Sequence, residues 1–243
     1  MASKLNGKTP KFDRVMVVSA HPDDPDFGAG GAVARLAKNG SKVTYVIVTD
    51  GSQGGEDPKQ KDSELVAIRE REQRAAARVL GVKTVEFLGY KDGHLAPDLK
   101  LRRDIVRMIR KHKPELVITH VPGRIIDGPR GGSHPDHLAV GEATMAAVYP
   151  DSRNPRAFRG LLKEGLQPHV VKEVWIPFWT KGDYLVDITT TMGLKIEALM
   201  KHKSQVAKPG NEWDIEKWMR KRHSQVGKRG GVRYAESFKR IKV

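Results

Sequence analysis

Two short stretches of this chain carry residues whose types and spacing could do chemistry: Ala20-His21-Pro22-Asp23-Asp24 and His134-Pro135-Asp136-His137. Together they supply His, His and Asp, the ligand types a catalytic zinc uses when it keeps one position open for water. A further carboxylate is then left over to act as a base on that water. His21 and Asp24 are three apart across a turn fixed by Pro22, so both can face one ion while Asp23 projects elsewhere in the cavity. His134 and His137 have the same spacing, which on a helix puts them on similar faces. Pro135 suits the first helical turn, where its missing N–H costs nothing. A lone His-Pro-Asp would mean little, because His and Asp are common in turns and Asp caps helices. Two such clusters point to a metal site.

The elements around the clusters alternate between strand and helix. Val15–Ala20 reads as the first strand, from its β-branched run, and Lys42–Thr49, Thr84–Leu88 and Leu116–His120 read as three more. Helices are predicted at Gly28–Asn39, at about 63–80, at Leu99–Lys111 and from His134 to about Val148. Val171–Phe178 and Tyr184–Ile188 read as further strands, joined as a hairpin across Lys181-Gly182, followed by helices over Thr190–Val206 and Asp214–His223. The Gly-, Pro- and Arg-rich loop 121–133 is long enough to be functional.

This alternation predicts an α/β, Rossmann-like three-layer fold with a mostly parallel sheet. A strand order 3-2-1-4-5 would make strands 1 and 4 neighbours whose crossovers leave to opposite sides. The crevice at their carboxyl ends is where open α/β sheets place ligands, and both clusters follow those two strands. Gly28, Gly30 and Gly31 read as close helix–sheet packing, because their spacing does not form a dinucleotide loop directly after the strand. The domain reading is a flexible N-terminus over 1–11 and one domain over 12–243.

Bulk properties narrow the class. With 243 residues, 38% hydrophobic and 30% charged, the composition is that of a globular chain with a sizeable core. There is no Cys, so any metal is held by N and O ligands. No apolar run approaches a membrane span, and residues 1–11 lack an apolar signal core, which predicts a cytoplasmic protein. The net charge of +15 raises nucleic acid as a partner. Aromatics are only 6% and are not interleaved with the basic residues, so a solvated basic surface that draws anionic substrates is the better reading, with no obligatory nucleic acid.

AHPDD after the first strand and SHPDH after the fourth resemble the PIG-L/LmbE-like family of zinc-dependent N-acetylglucosamine deacetylases. TDGSQG, the helix segment Arg69-Glu70-Arg71-Glu72, FLGYKDG and His202-Lys203-Ser204-Gln205 extend the resemblance over roughly residues 12–240. The resemblance implies one Zn2+ per chain on His21, Asp24 and His137. It implies that Asp23 is the general base and that His134, as a cation held by a carboxylate, stabilises the tetrahedral intermediate. Asp136 is either that second-shell carboxylate or a helix cap. Arg69 would reach a sugar hydroxyl or anionic group, or else pair with Glu72 or Asp62. Asp92 would reach another hydroxyl, or else serve only the turn before Gly93. His120 reads as a core or second-shell residue near the metal.

Two positions depart from the family pattern. Pro25 follows the paired Asp where Glu is usual, and Gly132 stands where some members carry a Tyr that aids the leaving amine. The implied reaction is removal of an N-acetyl group from an N-acetylglucosamine conjugate, with a small-molecule amino-sugar conjugate as partner. The identity of the conjugate and the oligomeric state, homo-oligomers included, stay open. Three alternatives are a zinc amidase for a larger acyl or thiol-conjugate amide, a two-metal phosphoesterase, and a non-catalytic basic module for RNA or anionic surfaces.

Overall fold

A computed structural model describes residues 10–124, 134–178, 182–206 and 214–243. Most of the loop 121–133, with Gly132, lies outside the described residues, as do residues 1–9 and Lys181. The sheet starts from β1 (Arg14–Ser19), β2 (Lys42–Thr49), β3 (Thr84–Tyr90) and β4 (Leu116–Thr119). It is completed by β5 (Glu173–Pro177), β6 (Tyr184–Asp187) and β7 (Ala235–Lys242), in the order β3-β2-β1-β4-β5-β7-β6. Strands β1 to β5 pair in parallel, as the alternation predicts, and β7 runs antiparallel to both β5 and β6.

The hydrophobic alternation of β1 divides the core. Val15 and Val17 pack on one face with α1 (Asp24–Lys38), while Met16 and Val18 pack on the other with α3 (Leu99–His112) and α4 (Pro135–Ala146). The first face also carries α2 (Asp62–Val79) and α6 (Met192–Leu199). Both faces of the sheet are therefore covered, which is why its central strands read as unbroken apolar runs. Close packing accounts for Gly31: a Cβ there would lie 2.8 Å from the Ile188 side chain. Among the described residues no helix is long and apolar enough to cross a membrane.

Four predicted elements are corrected. Helix α1 begins at Asp24, inside the first cluster, because Pro25 and Asp26 suit a first helical turn. The predicted hairpin is absent, since β7 lies between β5 and β6. β7 was hidden by polar residues that are nonetheless buried. Glu236 accepts from Gly31 N (2.9 Å) and Ala32 N (2.8 Å) and pairs with the buried Lys195 Nζ at 2.6 Å. The helix predicted over 190–206 divides into α6 and α7 (Lys203–Val206), and His202 at the break reaches Asp26. The last helix, α8 (Ile215–Gly230), follows the short α5 (Arg159–Lys163) and those two, and it runs past the predicted His223 to a left-handed Gly231.

His223 faces inward from α8, 3.0 Å from Ala235 O. Burial first, and then the Lys195 cation, lower its pKa to about 3 from an ordinary 6.5. Its folded-state pKa is depressed, so the unfolded chain takes up this proton first and stability is lost as the pH falls from 6.5 toward 3. Wild type is expected to lose roughly 3–4 kcal/mol more than His223→Gln across that window, measured by urea unfolding. Equal acid slopes for the two proteins would contradict a buried neutral imidazole.

Candidate metal and catalytic site

β1 and β4 are adjacent and in register, with Val18 opposite Thr119, so the segments that follow them leave from one edge of the sheet. After β1 the chain turns through Ala20 to Asp23 and enters α1. The turn closes on itself, with His21 N donating to Asp24 Oδ2 at 2.8 Å. Asp23 adopts φ 104°, a region that a non-glycine residue enters at a cost of about 1–3 kcal/mol and that clusters at functional sites. The second cluster lies at the start of α4, with His134 as its N-cap.

Three donor atoms meet between the clusters. His21 Nδ1 is 3.2 Å from His137 Nε2 and 3.2 Å from Asp24 Oδ2, and His137 Nε2 is 3.1 Å from Asp24 Oδ2. The triangle is nearly equilateral. Ligands at about 2.0–2.1 Å around a tetrahedral zinc stand about 3.3–3.4 Å apart, so this N, N, O set fits one face of such a site with little adjustment. The electrostatics agree with the geometry. Burial would lower the His21 pKa, but the Asp24 and Asp92 carboxylates on its two nitrogens outweigh it and raise it to about 11. Desolvation would raise the half-buried Asp24 carboxyl, yet His137, His120 and His21 hold it well below the usual carboxylate range. The pocket is built to keep a positive charge.

The far side of His21 is held by carboxylates. Its Nε2 lies 3.0 Å from Asp92 Oδ1 and 3.2 Å from Asp136 Oδ2. Contacts of this kind fix the orientation of a metal-binding imidazole. Asp136 is fully buried and accepts from Gly93 N (2.7 Å) and Leu95 N (3.2 Å). Asp92 accepts from Gln53 N at 3.0 Å, and its carboxyl is lowered to about 2 because His21 outweighs its burial. His21, Asp92 and His134 form a second close grouping, sharing the His21 ring with the first.

His134 and Asp136 do not form the expected ion pair. His134 Nδ1 instead accepts the backbone N–H of Asp136 at 3.2 Å, so the histidine is the cap and Asp136 is committed to His21 and the Gly93–Leu95 turn. Burial and the neighbouring His21 and His137 lower the His134 pKa. With Nδ1 taken by that N–H, the ring proton of an uncharged imidazole here stands on Nε2. His120 lies where expected, stacked on His137 with centroids 4.1 Å apart and its Nε2 accepting Ala20 N at 3.0 Å.

Arg69 reaches the site from α2, but inward. It is 4% exposed, and its guanidinium donates to Gly51 O (2.7 Å), Pro22 O (2.7 Å) and Asp23 Oδ2 (3.3 Å). Neither suggested salt-bridge partner is used: Glu72 binds Ser204, and Asp62 binds Lys91. Asp92 is likewise 4% exposed, with its carboxylate against His21 Nε2 and Gln53 N. Burial and the Asp24 charge raise the Asp23 carboxyl to about 6, opposed by Arg69 and His202.

Sequence reasoning missed Asp26 and Gln73. Asp26 is fully buried, with Tyr45 Oη (3.1 Å), Gln73 Nε2 (2.9 Å) and His202 Nε2 (2.7 Å) donating to it. The available signal was a third carboxylate two residues after the paired Asp. Loss of Asp136 tests the scaffold. Asp136→Ala would strand the Gly93 and Leu95 N–H groups and is expected to cost about 2–4 kcal/mol in chemical denaturation. A cost within about 0.5 kcal/mol, as for an unremarkable surface change, would contradict these contacts.

The family model described as PIG-L: GlcNAc-PI de-N-acetylase matches residues 16–148, which include both clusters. The chain is 33% identical over 237 residues to the diacetylchitobiose deacetylase of Thermococcus kodakarensis, covering 97% of this chain and 86% of that protein. It is 31% identical to the probable N-acetyl-alpha-D-glucosaminyl L-malate deacetylase 2 of Bacillus anthracis, covering 79% and 81%. The structure of N,N'-diacetylchitobiose deacetylase from Pyrococcus horikoshii, complexed with its inhibitor MPG, superposes with a TM-score of 0.86 at 33% identity, covering 95% of this chain and 84% of that one. The chain belongs to the PIG-L family of de-N-acetylases.

Proposed function

We propose that this protein hydrolyses the N-acetyl group of an N-acetylglucosamine-containing conjugate, releasing acetate and leaving a free amine. The observation that carries this reading is the His21, Asp24 and His137 donor triangle beside the Asp23 carboxylate. Its support is the family membership and the relatives named for that reaction on chitobiose and glucosaminyl-malate conjugates. The three donors would hold one zinc ion per chain, which when bound supplies Lewis acidity toward the acetyl carbonyl and acidifies water.

The chain's own groups do the rest. Asp23 takes the proton from the attacking water; a carboxyl raised to about 6 is a stronger base than an ordinary one and is still ionised near neutrality. His134, with Nδ1 occupied by the Asp136 N–H, has Nε2–H free to donate to the oxygen that gains charge. Asp23 then returns its proton to the departing amine, the position of the family's Tyr being Gly132 here. Arg69 serves the base and not the sugar, since its guanidinium ends on Asp23 and on the backbone of the turn.

Asp23→Ala, assayed with diacetylchitobiose, N-acetylglucosaminyl-malate and N-acetylglucosaminyl-inositol, should keep its full zinc content. Acetate release should fall by about 10²–10⁴-fold on whichever substrate wild type uses. Turnover within a few-fold of wild type would remove Asp23 as the base.

A further inference from the structure

The turn that carries Asp23 is gripped from α2 at both ends of one peptide plane. Pro22 O and Asp23 N belong to the same peptide group. Arg69 Nη2 donates to the former at 2.7 Å, and Gln73 Oε1 accepts from the latter at 2.7 Å. Arg69 and Gln73 are four apart on α2, so they rise side by side from one face of the helix. The residue after this plane is Asp23, at φ 104°.

Gln73 is fully buried, and both halves of its amide have fixed tasks. Its oxygen must face a donor, the Asp23 N–H. Its nitrogen must face an acceptor, Asp26 Oδ2, at 2.9 Å. That same Asp26 oxygen accepts from His202 Nε2 at 2.7 Å, and Tyr45 Oη donates to the other oxygen. A flipped amide would set oxygen against the carboxylate and nitrogen against an N–H, so the surroundings allow one orientation only. Side chains that lack either a donor or an acceptor cannot serve both neighbours.

We propose that Gln73 is a positioning residue for the reaction: with Arg69 it locks the Pro22–Asp23 peptide plane, so that the Asp23 carboxylate projects from a strained backbone toward the reacting atoms. Asp26 and His202 hold Gln73 in the orientation this requires. The inference rests on the deacetylase reading only through the role given to Asp23. A misplaced base costs turnover without costing substrate or metal affinity, and this separates positioning from general support of the fold.

The test uses full-length, zinc-loaded wild type and Gln73→Met, with diacetylchitobiose as substrate and backbone amide exchange as a second readout. In Gln73→Met, kcat should fall at least about tenfold, with KM within about twofold and zinc content unchanged. The Asp23 amide should exchange at least about tenfold faster than in wild type, while β1 amides exchange as before. Unchanged kcat with unchanged Asp23 exchange overturns the proposal, and so does a kcat loss that simply follows loss of zinc. If Gln73→Met does not fold, wild type decides the matter, because an unprotected Asp23 amide there overturns the clamp. Wild type that releases no acetate from any conjugate defeats the deacetylase reading, while the exchange result still decides the clamp.

Discussion

The parallel pairing of β1 with β4 is the constraint on which the rest of this molecule depends. Two clusters far apart in sequence can share an ion only if the strands before them end side by side. β2 and β3 extend the sheet away from β1 in one direction, and β4 and β5 extend it in the other. Among the described residues, therefore, no crossover helix covers the crevice between the carboxyl ends of β1 and β4. Shifting the β4 register by one residue would turn every side chain of that strand to the opposite face and carry His120 away from His137.

Bringing acidic groups into such a crevice has an electrostatic cost, and the structure offsets it with separate donors for each carboxylate. Asp24 receives His21 N and faces the His21 and His137 imidazoles, Asp92 receives Gln53 N and faces His21 Nε2, and Asp136 receives two N–H groups of the Gly93–Leu95 turn. Asp26 receives Tyr45, Gln73 and His202. Among the described residues, Asp23 receives only a 3.3 Å contact from Arg69, so its burial and the neighbouring Asp24 charge raise its proton affinity. The group with the fewest hydrogen bonds is the one assigned to move a proton. Such a division of environments is how one site keeps some carboxylates ionised and makes another basic.

Much of this was legible in the sequence, and the failures share a cause. The central strands, their order and the two clusters follow from β-branched runs, punctuating glycines and the spacing of His and Asp. Those features act locally or through one topological rule. What was missed involves polar residues whose partners come from distant elements. β7 was not expected as a strand, because the partners of Glu236, namely Lys195, Gly31 and Ala32, cannot be seen from its neighbours in the chain. His134 and Asp136 are adjacent enough to suggest a pair, yet Asp136 turns to the loop after β3. Arg69 reads as a substrate contact or a salt-bridge partner, and Gln73 gives no signal at all, until α2 is placed against the first turn. The expected roles of His21, Asp24, His137 and Asp23 are compatible with the geometry, and Arg69 and Asp92 lie against two of those residues, Asp23 and His21.

Anomalous diffraction at the zinc edge, on crystals of the wild-type protein grown with zinc, tests the central claim most directly. The account requires one strong peak per chain within bonding distance of His21 Nδ1, an Asp24 oxygen and His137 Nε2, on the side of the His21 ring away from Asp92. A peak held on the opposite side by Asp92 and His134, or none in the crevice, would contradict it.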